Sequence, residues 1–185
     1  RRAGGVRMSG EALPTLATAR LVLRPFRLED APTVQRLAGV REVAATTLTV
    51  PHPYPDGAAE AWIGTHAGSW AERKVLTLAV TLREDGALVG AVGLALVMAD
   101  RRAELGYWIG VPWWNRGFAT EASRALVDFG FGTLGLHRIM ARHMSRNEAS
   151  GRVMQKLGMA REGTLRHHVL KWGSFEDLVV YAVLA

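Results

Sequence analysis

Hydrophobic and polar positions alternate with a period of two along several short stretches of the chain and recur every three or four residues along others. Alternation and short apolar runs predict strands over 20–25, 75–82, 87–98, 103–110, 138–144, 160–168 and 176–184. Helical spacing predicts helices beginning at 31 and running over 58–72, 117–130 and 147–157. The stretch 46–55 holds three prolines and is interpreted as a loop.

The order of these elements is one strand, two helices, three strands, a helix, a strand, a helix and two strands. Tight turns join the three strands between 75 and 110, so they are expected to form an antiparallel meander. The helix over 117–130 then links two strands in a β-α-β unit. We predict one α/β domain over 16–185, built on a mixed, mostly antiparallel sheet of six to seven strands flanked by helices. A flexible basic N-terminus is expected over 1–15.

Amino-acid composition indicates a folded domain and excludes several kinds of protein and of catalytic chemistry. Apolar residues make up 49% of the chain and charged residues 22%, which fits a folded domain with a sizeable core. No apolar run approaches the ~18 residues of a membrane span, and the start RRAGGVRMSG lacks the apolar stretch of a signal peptide. The chain has no cysteine, which excludes disulfides, thiolate catalysis and cysteine-ligated zinc and fits a reducing cytoplasm. Histidine spacing does not indicate a metal site.

Positive charge is concentrated in one segment. The net charge is +6, and the segment 137–171 alone carries eight Lys or Arg residues against two Glu. A local basic zone favours a small polyanion, although a nucleic-acid-binding module could carry the same cluster. Three tryptophans are interpreted as core or pocket walls rather than stacking platforms for nucleic acid: Trp62, Trp70 and Trp172.

The stretch WWNRGFATEA, over 113–122, follows a predicted strand and opens a predicted helix. The first turn of a helix has free N–H groups and a partial positive charge, which together suit a pyrophosphate. Gly117 would let an anion approach the backbone, Arg116 could add a charged hydrogen bond, and Ala119 and Thr120 are small. The residues alone leave two interpretations open, a phosphate site and a plain strand-to-helix turn.

Several blocks together resemble the GNAT acyltransferase superfamily, and within it the RimJ/RimL-type branch of ribosomal-protein N-terminal alanine acetyltransferases. The resemblance covers roughly 20–184. The blocks are ELGYWIG over 104–110, PWWNRGFATEA over 112–122, NEAS over 147–150, LGM over 157–159 and REG over 161–163. Two positions depart from the superfamily's phosphate loop: Trp114 stands at the Gln/Arg place and Asn115 at a frequent glycine. Backbone donors hold the phosphates, and Asn tolerates a positive φ.

The resemblance implies a fold, a donor and a site. The sheet is expected to splay between the strands near 103–110 and 138–144, with the pantetheine arm of acetyl-CoA lying in the gap. The residues implied to bind this co-substrate are Trp108, Ile109, Gly110, Trp114, Asn115, Arg116, Gly117, Phe118, Ala119, Thr120, Asn147, Ser150, Arg152 and Lys156. Arg146 is grouped with Arg152 and Lys156 near the adenosine phosphates. No metal is implied.

Two residues are candidates for the chemistry. Ser150 would face the thiol and assist the leaving sulfur, a role that many superfamily members give to a tyrosine. Glu104 is the candidate general base, acting through water because it lies about 13 Å from Trp108 along its strand at about 3.3 Å per residue. The other interpretations are a solvated first-turn serine, a carboxylate paired with Arg101 or Arg102, and for Asn147 a simple helix N-cap.

The expected activity is therefore direct transfer of an acetyl group from acetyl-CoA to a primary amine, either a protein N-terminus or a small amine. The acceptor should lie between the loop over 46–55 and the turn over 166–174. A cytoplasmic enzyme, as a monomer or homodimer with no membrane partner, is expected. Two alternatives stay open: an acyl-CoA-binding sensor without turnover, and a basic nucleic-acid-binding module.

Overall fold

The computed structural model of the protein describes residues 12–185, which fold into eight strands and six helices. Most of the N-terminus over 1–15 that we predict to be flexible lies outside the described residues. Leu13 packs against the main core, so the packed domain begins before residue 16. The strands are β1 (Leu16–Ala17), β2 (Leu21–Arg24), β3 (Val75–Leu82), β4 (Leu88–Val97), β5 (Arg102–Ile109), β6 (Arg138–Met144), β7 (Ala160–Lys171) and β8 (Ser174–Leu184). The helices are α1 (Ala31–Ala38), α2 (Arg41–Thr46), α3 (Ala58–Gly64), α4 (His66–Ala71), α5 (Phe118–Gly132) and α6 (Glu148–Lys156).

All eight strands join one sheet in the order β1-β2-β3-β4-β5-β6-β8-β7. Neighbouring strands are antiparallel except β5 and β6, which are parallel because α5 crosses between them. The predicted α/β fold and the antiparallel meander of β3, β4 and β5 are confirmed. The sheet has eight strands in place of the predicted six to seven.

Two apolar layers cover the two faces of the sheet. The larger core contains Leu126 of α5 and Met154 of α6, and the smaller contains buried residues of α1 and α3. Successive side chains of a strand point to opposite faces. Tyr107 therefore packs against the larger core, on the side of α5 and α6, while Trp108 packs against the smaller one.

The sheet opens between β5 and β6. These strands pair over only four positions, from Arg102 with Arg138 to Leu105 with Ala141. Beyond that point β5 continues to pair with β4 as far as Ile109, and β6 continues to pair with β8 as far as Met144. Both strands keep their outer partners while they part from each other, so the splay that the family resemblance implies is confirmed.

Three local features differ from the sequence-based expectation. The helix predicted over 58–72 is divided at Thr65, whose hydroxyl bonds the carbonyl of Trp62 at 2.7 Å and competes with the helical ladder. Helix α2 and strand β1 are absent from the prediction, because six and two residues are too short to establish a period. The interpretation of Trp172 as a core residue is wrong, since the residue is 47% exposed.

Candidate active site

The first turn of α5 presents unoccupied backbone donors. Gly117, the N-cap, adopts φ 80°, and Asn115 just before it adopts φ 61°. The positive φ that we allowed for Asn115 is therefore present, and both residue types tolerate that conformation. No side chain of residues 12–185 caps this helix. The free amides and the positive end of the dipole of a 15-residue helix therefore face one point.

The loop before α5 is fixed at both ends. The indole N–H of Trp114 donates to the carbonyl of Ile109 at 2.6 Å, which ties the loop to the end of β5. On the other side Arg20 donates to the carbonyl of Arg116 at 3.0 Å and to Glu121 at 2.7 Å. These contacts hold the loop in its positive-φ conformation before any anion arrives.

Glu121 completes this attachment. Its carboxylate accepts hydrogen bonds from the hydroxyl of Thr18 and from the backbone and side chain of Arg20. Burial alone would raise the pKa of Glu121, but the hydrogen bonds from Thr18 and Arg20 outweigh it and lower the pKa. Sequence analysis did not identify Arg20 or Glu121 as site residues, because about one hundred positions separate them and neither need touch the ligand.

A cavity of about 730 Å³ occupies the gap between β5 and β6 and reaches the N-terminus of α5. Its other wall is formed by the end of α2, the loop over 46–50 and Trp62. The residues proposed from the sequence that line it are Glu104, Trp108, Ile109, Trp114, Asn115, Gly117, Phe118, Ala119, Thr120, Asn147, Ser150, Arg152 and Lys156. The fold thus brings together three blocks that are far apart in the sequence.

Two residues implied by the resemblance do not line the cavity. The N–H of Gly110 donates to the carbonyl of Val89 at 2.8 Å, so it is already satisfied within the sheet. The carbonyl of Arg116 accepts from Arg20, while its side chain is exposed outside the cavity. We therefore leave Gly110 out of the backbone groups proposed to bind acetyl-CoA.

Ser150 stands in the first turn of α6 and is held by two neighbours. Asn147 is the N-cap of this helix, and its side-chain oxygen accepts from the backbone N–H of Ser150 at 3.3 Å. The hydroxyl of Ser150 lies 2.7 Å from the phenolic oxygen of Tyr107. All three residues line the cavity, so the N-cap interpretation of Asn147 and its proposed contact with a ligand are compatible.

Tyr107 is a site residue that sequence reasoning missed, because no tyrosine follows Asn147 closely in the chain. The signal was present in the alternation of β5, which turns Tyr107 toward the side of α6. Burial raises the pKa of Tyr107 to about 12, although its hydrogen bond with Ser150 acts in the opposite direction. The phenol therefore stays protonated at neutral pH and can donate to Ser150 Oγ, which leaves the serine proton free for another acceptor.

Glu104 faces the same cavity from β5. Both of its carboxylate oxygens accept from Arg142 of β6, at 2.8 and 2.9 Å. The alternative interpretation, a pairing of Glu104 with Arg101 or Arg102, is wrong: the guanidinium of Arg101 donates to the carbonyl of Gly135, and Arg102 pairs with Asp100. The pair between Glu104 and Arg142 forms because the parallel register sets Glu104 opposite Met140, two residues before Arg142. It bridges the two strands at the point where they part.

His143 is the second site residue that the sequence did not reveal. Its side chain is 8% exposed and lines the cavity beneath α6. Nδ1 lies 2.9 Å from the carbonyl of Met144, while Nε2 has no hydrogen-bond partner in the described part of the chain. A Cβ at Gly151 would stand 2.9 Å from Nε2, so any larger residue at this helix position would require the imidazole to shift.

The basic residues in and just before α6 lie in two regions. Arg152 and Lys156 line the end of the cavity near α5. Arg146 does not: it bonds Glu176 at 2.8 Å and the carbonyl of Ala45 at 2.7 Å. Its predicted grouping with Arg152 and Lys156 is therefore wrong, because Arg146 lies in the turn between β6 and α6 and its side chain bonds Glu176 and Ala45.

Residues 12–185 contain neither a metal-binding cluster nor a helix that could span a membrane. No group of three or more His, Asp or Glu side chains there could hold a metal ion. Within the same range no helix has the length and apolar character needed to cross a membrane.

Comparison with known proteins identifies the family of this domain. Residues 20–160 match the family described as an acetyltransferase (GNAT) domain. The chain belongs to the GNAT acetyltransferase family. The gap between β5 and β6 and the N-terminus of α5 are accordingly features of a GNAT domain, and the expectation of an N-acyltransferase is confirmed at the level of the family.

Three proteins similar to this GNAT domain indicate to which branch of the family it belongs. It is 34% identical over 181 residues to the uncharacterized N-acetyltransferase YoaA of Bacillus subtilis, covering 92% of this chain and 97% of that protein. It is 37% identical over 79 residues to the [ribosomal protein uS5]-alanine N-acetyltransferase of Escherichia coli, covering 43% and 41%. The structure of Mycobacterium smegmatis RimJ in complex with CoA-disulfide matches with a TM-score of 0.85 at 25% identity, covering 96% and 90%. These relatives support the RimJ/RimL-type branch.

Proposed function

We propose that the protein transfers the acetyl group of acetyl-CoA directly to a primary amine, with the N-terminus of a polypeptide as the first acceptor class to test. The observation that carries this proposal is the uncapped N-terminus of α5, which opens onto the gap between β5 and β6 beside Ser150. The relatives named for ribosomal-protein acetylation and the CoA-bound RimJ structure support it. A small amine is the second acceptor class.

Acetyl-CoA, the acetyl donor, would be held mainly by backbone groups. The amides from Asn115 to Thr120 would bind the pyrophosphate, as free helix N-termini bind phosphates in general. Asn147 and the edge of β5 at Trp108 and Ile109 would line the pantetheine arm. Arg152 and Lys156 would face the adenosine phosphates with charge and long flexible stems.

The chemistry would use the two sides of the gap. The amine nitrogen forms a bond to the acetyl carbon and the carbon–sulfur bond breaks, so nitrogen loses one proton and sulfur gains one. Glu104 would accept the amine proton through water, since its paired carboxylate oxygens keep unused lone pairs. Ser150 would donate to the leaving sulfur, oriented by Tyr107. This chain has no cysteine to form an acyl-enzyme.

The test is a thiol-release assay with acetyl-CoA and a peptide bearing a free N-terminal alanine, with mass spectrometry of the peptide. We expect free thiol and N-terminally acetylated peptide in equal amounts. The control is the same peptide with a blocked N-terminus, which should release no thiol. A protein that binds acetyl-CoA but acetylates neither peptides nor small amines would contradict the proposal and support the sensor alternative.

A further inference from the structure

A buried lysine at the end of β7 has no anionic partner. The side chain of Lys171 is 9% exposed, and no carboxylate in residues 12–185 lies within salt-bridge distance of it. Within that range, the one contact recorded for its ammonium is with the ring of Trp172, 5.0 Å from Nζ to the ring centroid. Burial covers mainly the hydrocarbon stem of the lysine, whereas Nζ is not among the fully buried polar atoms and keeps access to solvent. An accessible ammonium with no carboxylate beside it can pair with an anionic ligand.

Other basic groups surround the same indole. The guanidinium of Arg41, at the start of α2, lies 5.4 Å from the centroid of Trp172, and the ring of His52 lies 5.9 Å away. Arg41 also has no carboxylate within salt-bridge distance in the described part of the chain. Arg146 is close enough to act electrostatically on Lys171, and it is neutralised by Glu176. We call Arg41, His52, Arg146, Lys171 and Trp172 the Trp172 cluster; it has an excess of positive charge.

The Trp172 cluster adjoins the acceptor side of the cavity. Arg146 contacts the carbonyl of Ala45 in α2 and the sulfur of Met144 at 3.3 Å, and Met144 lines the cavity. His52 belongs to the loop over 46–55, whose residues 46–50 also line the cavity. Trp172 is 47% exposed, so a ligand that extends out of the cavity can reach the cluster.

We propose that the Trp172 cluster binds an acidic group of the acceptor, so that the preferred acceptor is an acidic polypeptide whose carboxylates follow its free N-terminus. Arg41 and Lys171 would supply charged hydrogen bonds to the carboxylate, and the indole would cover its hydrocarbon stem. The identification of the ligand as the acceptor rests on the proposed function. The binding of carboxylates by the Trp172 cluster does not depend on that function.

The ionisation of Lys171 agrees with this role. Burial, and then the charge of Arg146, lower the pKa of Lys171. A bound carboxylate would favour the charged form and restore the pKa, so protonation and anion binding would strengthen each other. Burial and the charge of Arg146 both disfavour the charged form of Lys171, and a carboxylate bound beside it would offset both effects.

The experiment measures binding separately from turnover. Two N-terminally acetylated pentapeptides, which cannot be acceptors, are titrated by calorimetry into the protein saturated with CoA: one carries two glutamates after its first alanine, and the other two glutamines. We expect the glutamate peptide to bind about tenfold more tightly, the difference expected for one charge-assisted hydrogen bond. Arg41→Gln and Lys171→Met should each remove this preference. Arg36→Gln, which removes an exposed charge from α1, should keep it.

The Arg41→Gln variant keeps the test valid if Lys171→Met fails to fold, because Arg41 is exposed whereas Lys171 is buried. Equal binding of the two peptides by the unmodified protein would overturn the proposal, and so would a preference that both variants retain. Displacement of the glutamate peptide by a short DNA duplex at low salt, with tighter binding of the duplex, would also overturn it in favour of a nucleic acid. If the preference exists but no free amine is acetylated, the cluster stands and the proposed function fails.

Discussion

Replacing Tyr107 by Phe removes one oxygen atom from the site and leaves the ring that packs against the core. That oxygen lies 2.7 Å from Ser150 Oγ and 3.2 Å from the carbonyl of Ser150. If Tyr107 donates to the serine hydroxyl, its loss leaves Ser150 free to rotate and to direct its proton elsewhere. Tyr107 is then a positioning residue, which acts on the leaving sulfur only through Ser150.

The size of the effect follows from this geometry. A neutral hydrogen bond contributes about 0.5–1.5 kcal/mol net, which corresponds to a loss of about 2- to 12-fold in kcat. Ser150→Ala removes the donor itself and should cost about 100-fold or more, in the range of a general acid. Because Tyr107 acts through Ser150, adding Tyr107→Phe to Ser150→Ala should change kcat by less than twofold.

The assay is thiol release at saturating acetyl-CoA and acceptor for the wild type, the two single variants and the double variant. Calorimetry of acetyl-CoA and the melting temperature of each protein accompany it. Tyr181→Phe is the matched control, since it removes a phenolic oxygen that contacts α6 through Gln155 at 3.3 Å but does not contact Ser150. It should leave kcat unchanged.

Two results would refute this reasoning. Fully additive effects of Tyr107→Phe and Ser150→Ala would mean that the tyrosine acts independently of the serine. A fall in stability or acetyl-CoA affinity that accounts for the whole loss of rate would mean that Tyr107 only supports the fold.

Three further predictions concern other parts of the site. Glu104→Gln should lower kcat/KM by about 100-fold or more, whereas Glu162→Gln, which breaks a comparable ion pair with an arginine of β6 outside the cavity, should not; equal losses in the thiol-release assay would contradict the role of Glu104. Gly151→Ala should destabilise the fold by about 1–3 kcal/mol in urea unfolding, because its Cβ would meet His143 Nε2; unchanged stability would show that the histidine moves aside freely. The lowered pKa of Glu121 stabilises the protein above the ordinary glutamate pKa, and this contribution is lost as the pH falls through the lower folded value. Glu121→Gln should therefore melt below the wild type near pH 7, with the gap closing in acid; a gap independent of pH would contradict this.

The pattern of hydrophobic and polar residues was sufficient to predict the type and the bounds of long elements with a clear period. The predicted bounds of β3 and β6 agree with the structure. β3 is a mostly apolar run that ends just before the turn residues Glu84-Asp85-Gly86. The cavity-lining residues that the sequence analysis named as co-substrate ligands were implied by the GNAT resemblance, whereas Tyr107 and His143 also line the cavity and were not named. The physical pattern of WWNRGFATEA alone left an ordinary turn as an equal interpretation.

Contacts between distant parts of the chain could not be predicted in this way. Tyr107 and Ser150 are 43 positions apart, and their meeting depends on how α6 lies over the gap in the sheet. The pairing of Glu104 with Arg142 depends on the parallel register of β5 and β6, which no local pattern encodes. The attachment of Glu121 to Arg20 likewise requires β2 to lie beside the start of α5.

Binding of the acetyl-CoA pyrophosphate at the N-terminus of α5 can be measured by calorimetry of acetyl-CoA with Gly117→Glu and Gly117→Ala. Both variants strain the same positive φ, and an added Cβ would meet only Arg20 Nη2, 3.5 Å away. The carboxylate alone adds repulsion worth several kcal/mol against a phosphate. We predict that Gly117→Glu binds acetyl-CoA at least about 100-fold more weakly than Gly117→Ala. Equal affinity of the two variants, or a wild type that does not bind acetyl-CoA, would contradict the account.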